Sequence, residues 1–427
     1  MAPRTGPTPG PLIPHLPRLT KSDMAAALSV ALLLIPQCLA YAELAGVPAH
    51  VGLVAASIPP IVSGAFGSSA HLQTGPVALT ALVTFGIVSG RAEPGTDDYV
   101  ALAALLAVMV GAIRIVLAAL RLGRAAYLMT PAVVLGFTTG AALVITSSQL
   151  PAMLGRPGGD DVLLGGIDAL VKPHLWSAAS IGLAALVAVV IIGGRRVAGR
   201  RFPGVLIALS ASALLAKVGS ATIDTVGEVP RVLPVPNPGA LPWDAAPSLL
   251  VIALVVSVID FAEPAAIARQ NATTDGVQWD ASRELGGQGI ANLASGLVGG
   301  FPVGGSFSRT SLNRLAGGRT RWSGIGAGLI VLALLPAAPL LSMIPRSALA
   351  ATVVVAVYRL IDIPGVWQLL RSSPTQGTVA LATAILTVAL EPKVHIAVAV
   401  AVLASGVVAI LTPAGRPQPD QDGGSNR

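Results

Sequence analysis

Apolar stretches long enough to cross a bilayer, about 20 residues each, recur along this chain from residue 24 to residue 412. Few folds remain open to such a pattern. Inside a bilayer every backbone N–H and C=O must find a partner within the protein, so each stretch is expected to be a helix. Charged residues make up 11% of the 427, and 53% are hydrophobic, whereas soluble domains carry roughly a quarter charged residues. An all-α polytopic membrane protein follows, with no room for a sizeable soluble domain.

Allowing shorter segments where Gly or Pro interrupts them, fourteen spans are expected, and the third (75–90) and tenth (306–316) are short. Charge placement supports the count. With both termini cytoplasmic, 18 of the 27 Lys and Arg residues fall in inside segments and 7 in outside segments, leaving Arg114 and Arg309 within spans. The net charge of +7 therefore reflects cytoplasmic loops in a cell (inner or plasma) membrane and implies no nucleic acid partner. Fourteen spans divide into two sevens, and an odd number per half makes the halves inverted relative to each other. Residues 1–21 are Pro-rich and read as a disordered cytoplasmic tail, 22–412 as the transmembrane domain, and 413–427 as a disordered cytoplasmic tail.

Two stretches carry the clearest chemistry. Ser68-Ser69-Ala70-His71-Leu72-Gln73-Thr74-Gly75-Pro76 and Phe301-Pro302-Val303-Gly304-Gly305-Ser306-Phe307-Ser308-Arg309-Thr310 each set a helix start in mid-membrane. Such a start exposes unpaired N–H groups and the positive end of the helix macrodipole. Two of them facing each other make an anion site. Thr74, Gly75, Gly305, Ser306, Phe307 and Ser308 stand at these starts as candidate anion contacts, with Ser306 placed to be the N-cap. Arg309, one turn further on, either adds to the anion field, neutralises Glu263, or snorkels to the interface. In the first span Pro36 bends the helix, and Gln37 and Tyr41, four apart, share a face suited to a substrate pocket or to interhelical packing.

Charges inside a membrane need a reason. In the eighth span Asp260 and Glu263, three apart, share one helix face and are candidates for binding a proton or helping to bind a cation; capping a neighbour or pairing with Arg309 is the alternative. His71 reads as a structural polar residue at the pocket rim, with a ligand or proton carrier as the alternative. Enzyme signatures are absent: there is no His-Glu-x-x-His, Gly-x-Ser-x-Gly or Walker loop, and the five histidines lack metal-like spacing. The single Cys38 allows no intrachain disulfide. No cofactor is expected beyond a coupling H⁺ or Na⁺.

The run Leu34-Ile35-Pro36-Gln37-x-x-Ala40-Tyr41-Ala42-x-x-Ala45-Gly46-Val47-Pro48 resembles the first-span signature of the sulfate permease (SulP) family. So do Phe66-Gly67-Ser68-Ser69-x-His71-Leu72-x-x-Gly75-Pro76-Val77-Ala78, Arg283-Glu284-Leu285-x-x-Gln288-Gly289-x-x-Asn292 and Phe301-Pro302-Val303-x-Gly305-Ser306-Phe307-Ser308-Arg309-Thr310-Ser311-x-Asn313. The resemblance implies a 7+7 inverted repeat. Its mobile core domain is spans 1–4 (about 22–121) and 8–11 (about 247–343); its gate domain is spans 5–7 (about 125–217) and 12–14 (about 347–412). It implies an anion held between the third and tenth helix starts near Gln37, Tyr41 and Ser306, with Glu263 at the family's coupling acid and Asp260 as an extra. Family members usually carry a C-terminal STAS domain. Only residues 413–427 follow the last span here, so none is expected, and any homodimer would form through the membrane domain. The resemblance thus implies a secondary active transporter of a small inorganic anion working by elevator-like alternating access. The expected anion is sulfate first and bicarbonate second, coupled to H⁺ or Na⁺. The alternatives are an uncoupled chloride/bicarbonate channel or exchanger, a nucleobase carrier on the same fold, and a non-transporting scaffold.

Overall fold

The computed structural model describes residues 17–123, 131–156, 162–199, 202–218, 223–231, 233–390 and Val400. Helix α1 (Lys21–Leu44) starts from a capping box: the Thr20 hydroxyl accepts from Asp23 N–H while the Asp23 carboxylate accepts from Thr20 N–H. Next come α2 (Ala49–Phe66), a two-residue strand β1 (Thr74–Gly75), the short α3 (Ala78–Val88) and α4 (Asp97–Ala119), whose N-cap is Thr96. Helices α5 (Pro131–Met153), α6 (Val162–Val171), α7 (Ala178–Val197) and α8 (Gly204–Val218) follow. The second part runs α9 (Ala246–Asp275), α10 (Ala281–Leu297), strand β2 (Gly304–Gly305), α11 (Phe307–Leu315) and α12 (Trp322–Leu334). It ends with α13 (Arg346–Val357), α14 (Ile363–Ser372) and α15 (Pro374–Ala389).

Thirteen of the fourteen expected spans correspond to these helices; the fourteenth, 393–412, lies outside the described residues apart from Val400, as do both proposed tails beyond Pro17–Thr20 and Lys21. Three details differ from the sequence reading. The third span begins at Ala78 rather than at residue 75, because Thr74 and Gly75 are drawn into strand pairing. Helices α6 and α14 were not expected as separate elements. In α14, Val366 is buried with Ala132 and Ala380, while Trp367 faces outward with the Arg371 guanidinium 5.3 Å over its ring. That helix is too short to span and too one-sided to register as an apolar stretch.

Packing sorts the helices into two sets. Helix α10 lies along α4 and α2, α12 along α1 and α2, and α9 along α4. In the other set α5 lies along α15, α13 and α6, and α7 along α13 and α8. Between the sets, α1 touches α13 and α8, and α3 touches α5.

Without a hydrophobic drive between helices in lipid, close approach depends on small residues at the contact. The α4–α10 contact illustrates this. A Cβ on Gly111 would fall on the Leu293 backbone, one on Gly296 on the Ala104 carbonyl, and one on Gly289 would meet Arg114 Cβ at 3.0 Å. Replacing Gly111 by Val is therefore expected to force α4 off α10 and lower stability by about 1–3 kcal/mol. A lower unfolding midpoint of the purified protein, with Gly182→Ala (open space at its Cβ) as the control, would register it.

Candidate anion-binding site

The two mid-chain helix starts meet. β1 and β2 pair antiparallel, Thr74 opposite Gly305 and Gly75 opposite Gly304. Ser306 N–H extends the ladder by donating to the Gln73 carbonyl at 2.9 Å. Helices α3 and α11 therefore start from one point, and their first N–H groups have no intrahelical partner. Ser306 is the N-cap of α11, its Oγ accepting from Arg309 N–H at 3.4 Å and sharing a hydrogen bond with Ser308 Oγ at 3.2 Å. Val77, at the cap of α3, offers no side-chain acceptor. Glycine is required here by space and by torsion. Gly75 sits at φ +147°, where a Cβ is strained. A Cβ on Gly305 would lie 2.8 Å from Leu72 Cδ1 and 3.1 Å from Pro264 Cβ.

Gln37 and Tyr41 are both buried on α1, as their shared face predicted. The arginine of α11 closes this corner. Arg309 is 0% exposed, and its Nη1 donates to Gln37 Oε1 at 3.3 Å and to the Pro76 carbonyl at 2.8 Å. Its Nε and Nη2 have no hydrogen-bond partner among the described residues. A snorkelling Arg309 is excluded by this burial, and its hydrogen bonds go to α1 and the α3 start rather than to Glu263. Nη2 lies 3.5 Å from where a Cβ on Gly75 would stand, so the unclaimed donor faces the strand pair.

Asp260 and Glu263 of α9 have different surroundings. Asp260, 4% exposed, forms an ion pair with Arg114 of α4 at 2.9 Å, and Arg114 Nε also donates to the Ser257 carbonyl at 3.1 Å. Glu263 is half-buried and makes no hydrogen bond or ion pair among the described residues. Asp260 thus pairs with a cation that the sequence reading noted as a span residue and gave no role. The signal available was that both were charges stranded in spans. Among the other candidates, Phe307 is 53% exposed and Ser308 is exposed as well. Thr74 reaches the site through its backbone only, because its hydroxyl is held by Ser63 Oγ at 2.6 Å and Gln288 Nε2 at 2.7 Å.

Three α10 side chains spaced four apart hold both helix starts. Glu284 accepts from Ser68 N–H at 2.9 Å and Ser69 N–H at 2.7 Å. One turn on, Gln288 donates to Thr74. Asn292 pairs with both polar groups of Val303, its Nδ2 donating to the carbonyl and its Oδ1 accepting from the N–H, each at 2.9 Å. The sequence showed these residues only as a motif; their four-residue spacing on one helix face was the readable sign. His71, with Nε2 2.9 Å from Asp275 Oδ2, joins a pair that Arg314 closes through two 2.7 Å bonds to that carboxylate. It sits at the rim in a structural ion cluster.

Comparison with known proteins adds an independent line. The profile of the sulfate permease family matches residues 20–383. A Mycobacterium tuberculosis protein named as a probable sulfate transporter is 35% identical over 374 residues, covering 86% of this chain and 66% of that protein. The chloroplastic sulfate transporter 4.1 of Arabidopsis thaliana is 32% identical over 354 residues, covering 80% of this chain and 51% of that protein. The chain thus spans less than two thirds of the length of either of these relatives. Among solved structures, murine Slc26a9, described as an anion transporter in the inward-facing state, superposes with a TM-score of 0.83 at 20% identity, over 91% of this chain and 68% of that one. The transmembrane domain of the cyanobacterial bicarbonate transporter BicA gives 0.77 at 24% identity, over 90% and 97%. These likenesses bear on the fold.

Asn292→Ala would leave the Val303 N–H and C=O unpaired in a dry interior, which costs about 1–3 kcal/mol. A fall in the unfolding midpoint is expected. The same substitution at Ser29, whose hydroxyl donates only to the Ala25 carbonyl of its own helix, should leave the midpoint within experimental error.

Proposed function

The chain belongs to the sulfate permease family, and from that premise we propose that it is a secondary active transporter of a small inorganic anion, sulfate before bicarbonate. As a multi-pass membrane protein of a permease family it is not an enzyme. The anion is held between the starts of α3 and α11, against Gln37, Tyr41, Gly75, Gly305 and Ser306, and movement is coupled to a proton through Glu263. The observation that carries this reading is the buried Arg309 guanidinium, with two unclaimed N–H donors beside two helix N-termini.

Charge matching favours sulfate. One guanidinium and two helix ends of about half a charge each supply roughly two positive charges. They balance a dianion when Glu263 is protonated. With Glu263 ionised the site fits a monoanion, so proton and sulfate bind together more readily than either alone. That mutual dependence is the thermodynamic content of symport. The names of the relatives point to sulfate, and that of the structural neighbour BicA makes bicarbonate the second choice.

The packing of the helices fits elevator-like movement. The site residues lie on α1, α9, the strand pair and the Ser306 cap of α11, and α1, α3, α9 and α11 together with α2, α4, α10 and α12 form the mobile core. The set of α5 to α8 with α13 to α15 forms the gate. The antiparallel pairing of the two-residue strands that precede the third and tenth spans is compatible with an inverted repeat. The distribution of Lys and Arg supports cytoplasmic placement of both termini, and a homodimer would form through the membrane domain.

In proteoliposomes, labelled sulfate, bicarbonate, chloride and fumarate are presented under separate H⁺ and Na⁺ gradients. Sulfate uptake driven by an inward H⁺ gradient is expected, with bicarbonate the stronger competitor among the others. Glu263→Gln should abolish gradient-driven uptake while sulfate binding persists; uptake that still follows the gradient would remove Glu263 from coupling. Arg309→Gln should weaken sulfate binding about tenfold to a hundredfold, as expected for loss of a charged hydrogen-bonding partner. Electrogenic flux without gradient dependence would replace the transporter reading with a channel.

A further inference from the structure

A second buried ionic group lies one helical turn from the proposed coupling acid. Arg114 is 0% exposed and Asp260 4%, and they pair at 2.9 Å between α4 and α9. Gly289 leaves room beside the arginine, where a Cβ would meet Arg114 Cβ at 3.0 Å, and Ser257 O accepts from its Nε. The carboxylate reaches the proposed site: both Asp260 oxygens lie 3.6 Å from where a Cβ on Gly304 would stand, in the strand pair. Arg114 Nη1 has no hydrogen-bond partner among the described residues.

The consequence lies in how two acids on one helix face behave. Carboxylates this close compete for protons and exchange them as a pair unless a cation separates their behaviour. Asp260 has such a cation and Glu263 has no direct partner. The charged or ionisable groups acting on Glu263 are Asp260 on its own helix, Arg309 from α11 and Tyr41 from α1. Helix α3 and strand β2 contain no ionisable residue, and α10 meets α9 through Leu285 and Phe261.

Resting on the proposed function above, we infer that Arg114 is a positioning residue that holds Asp260 as a fixed anion and so limits the transport cycle to one exchangeable proton, carried by Glu263. The Arg114–Asp260 pair has no net charge, so it leaves the match between the site and a dianion undisturbed. A buried ion pair adds little net stability against an apolar replacement; its effect is on which acid exchanges protons. Removing Arg114 frees Asp260 to become a second carrier three residues from the first.

The test compares the parent with Arg114→Gln, Arg114→Lys and the neutral double variant Arg114→Gln/Asp260→Asn in proteoliposomes. It reads the proton-to-sulfate flux ratio and the pH profile of gradient-driven uptake. For Arg114→Gln the ratio should rise from about one toward about two, with a second ionisation step in the profile. Arg114→Lys and the double variant should keep the parent ratio. An unchanged ratio and profile in a folded Arg114→Gln protein would overturn the inference. If Arg114→Gln elutes as aggregate, the double variant decides alone. A parent ratio supports the inference, and a lower ratio overturns it, since Asp260 would then have carried a proton in the parent. Coupling that survives Glu263→Gln would instead overturn the functional reading on which this rests.

Discussion

Helices that begin inside a bilayer leave unwound backbone where no water can pair it, and that constraint organises this protein. The unwound residues before α3 and α11 satisfy one another through a two-residue antiparallel ladder. Glu284, Gln288 and Asn292 on α10 take up further polar groups of these segments. Helix α10 can approach this closely because glycines on it and on α4 let the two backbones nearly touch. Once the ladder is clamped, the two helix starts have fixed directions. The space between them becomes a place where positive potential is built from backbone rather than from mobile side chains.

Against that fixed backbone the ionic residues divide the work. Arg309 is anchored at one end by Gln37 and the Pro76 carbonyl, so its free donors point where the helix ends point. Arg114 neutralises Asp260, leaving Glu263 as the α9 acid without a direct partner. Two arginines and two acids would otherwise be an expensive set to place in a membrane. Arranged as one closed pair and two partly unsatisfied groups, they favour binding an anion and a proton together.

Much of this was legible in the chain. Most of the spans follow from apolar length, because the requirement to satisfy backbone groups in lipid leaves no other local structure, and the short polar α11 follows from the Gly and Pro punctuation before it. The Ser306 cap and the shared face of Gln37 and Tyr41 follow from helical geometry at short range. Helix α14 escaped notice, since Val366 is the only one of its residues fully buried and its outward Trp367 and Arg371 break the apolar run. The partner of Asp260 was hidden by distance: Arg114 lies 146 residues away, and nothing in local spacing says which charges in different spans will meet. Thr74 stands at a helix start as a candidate anion contact, and its side chain serves α2 and α10.

The sequence by itself determined that the chain is a bundle of membrane helices, two of them started by glycine and proline at mid-depth, with charges confined to a few span positions. Those are properties of segments against a solvent, and a segment carries them wherever it lies. Only the tertiary structure decided that the two starts share a ladder, that Arg309 joins α1 to both of them, and that Arg114 rather than Arg309 neutralises α9. Each of those outcomes depends on which helices pack together and at what depth. In lipid that is set by contacts between small residues and buried polar groups far apart in the chain.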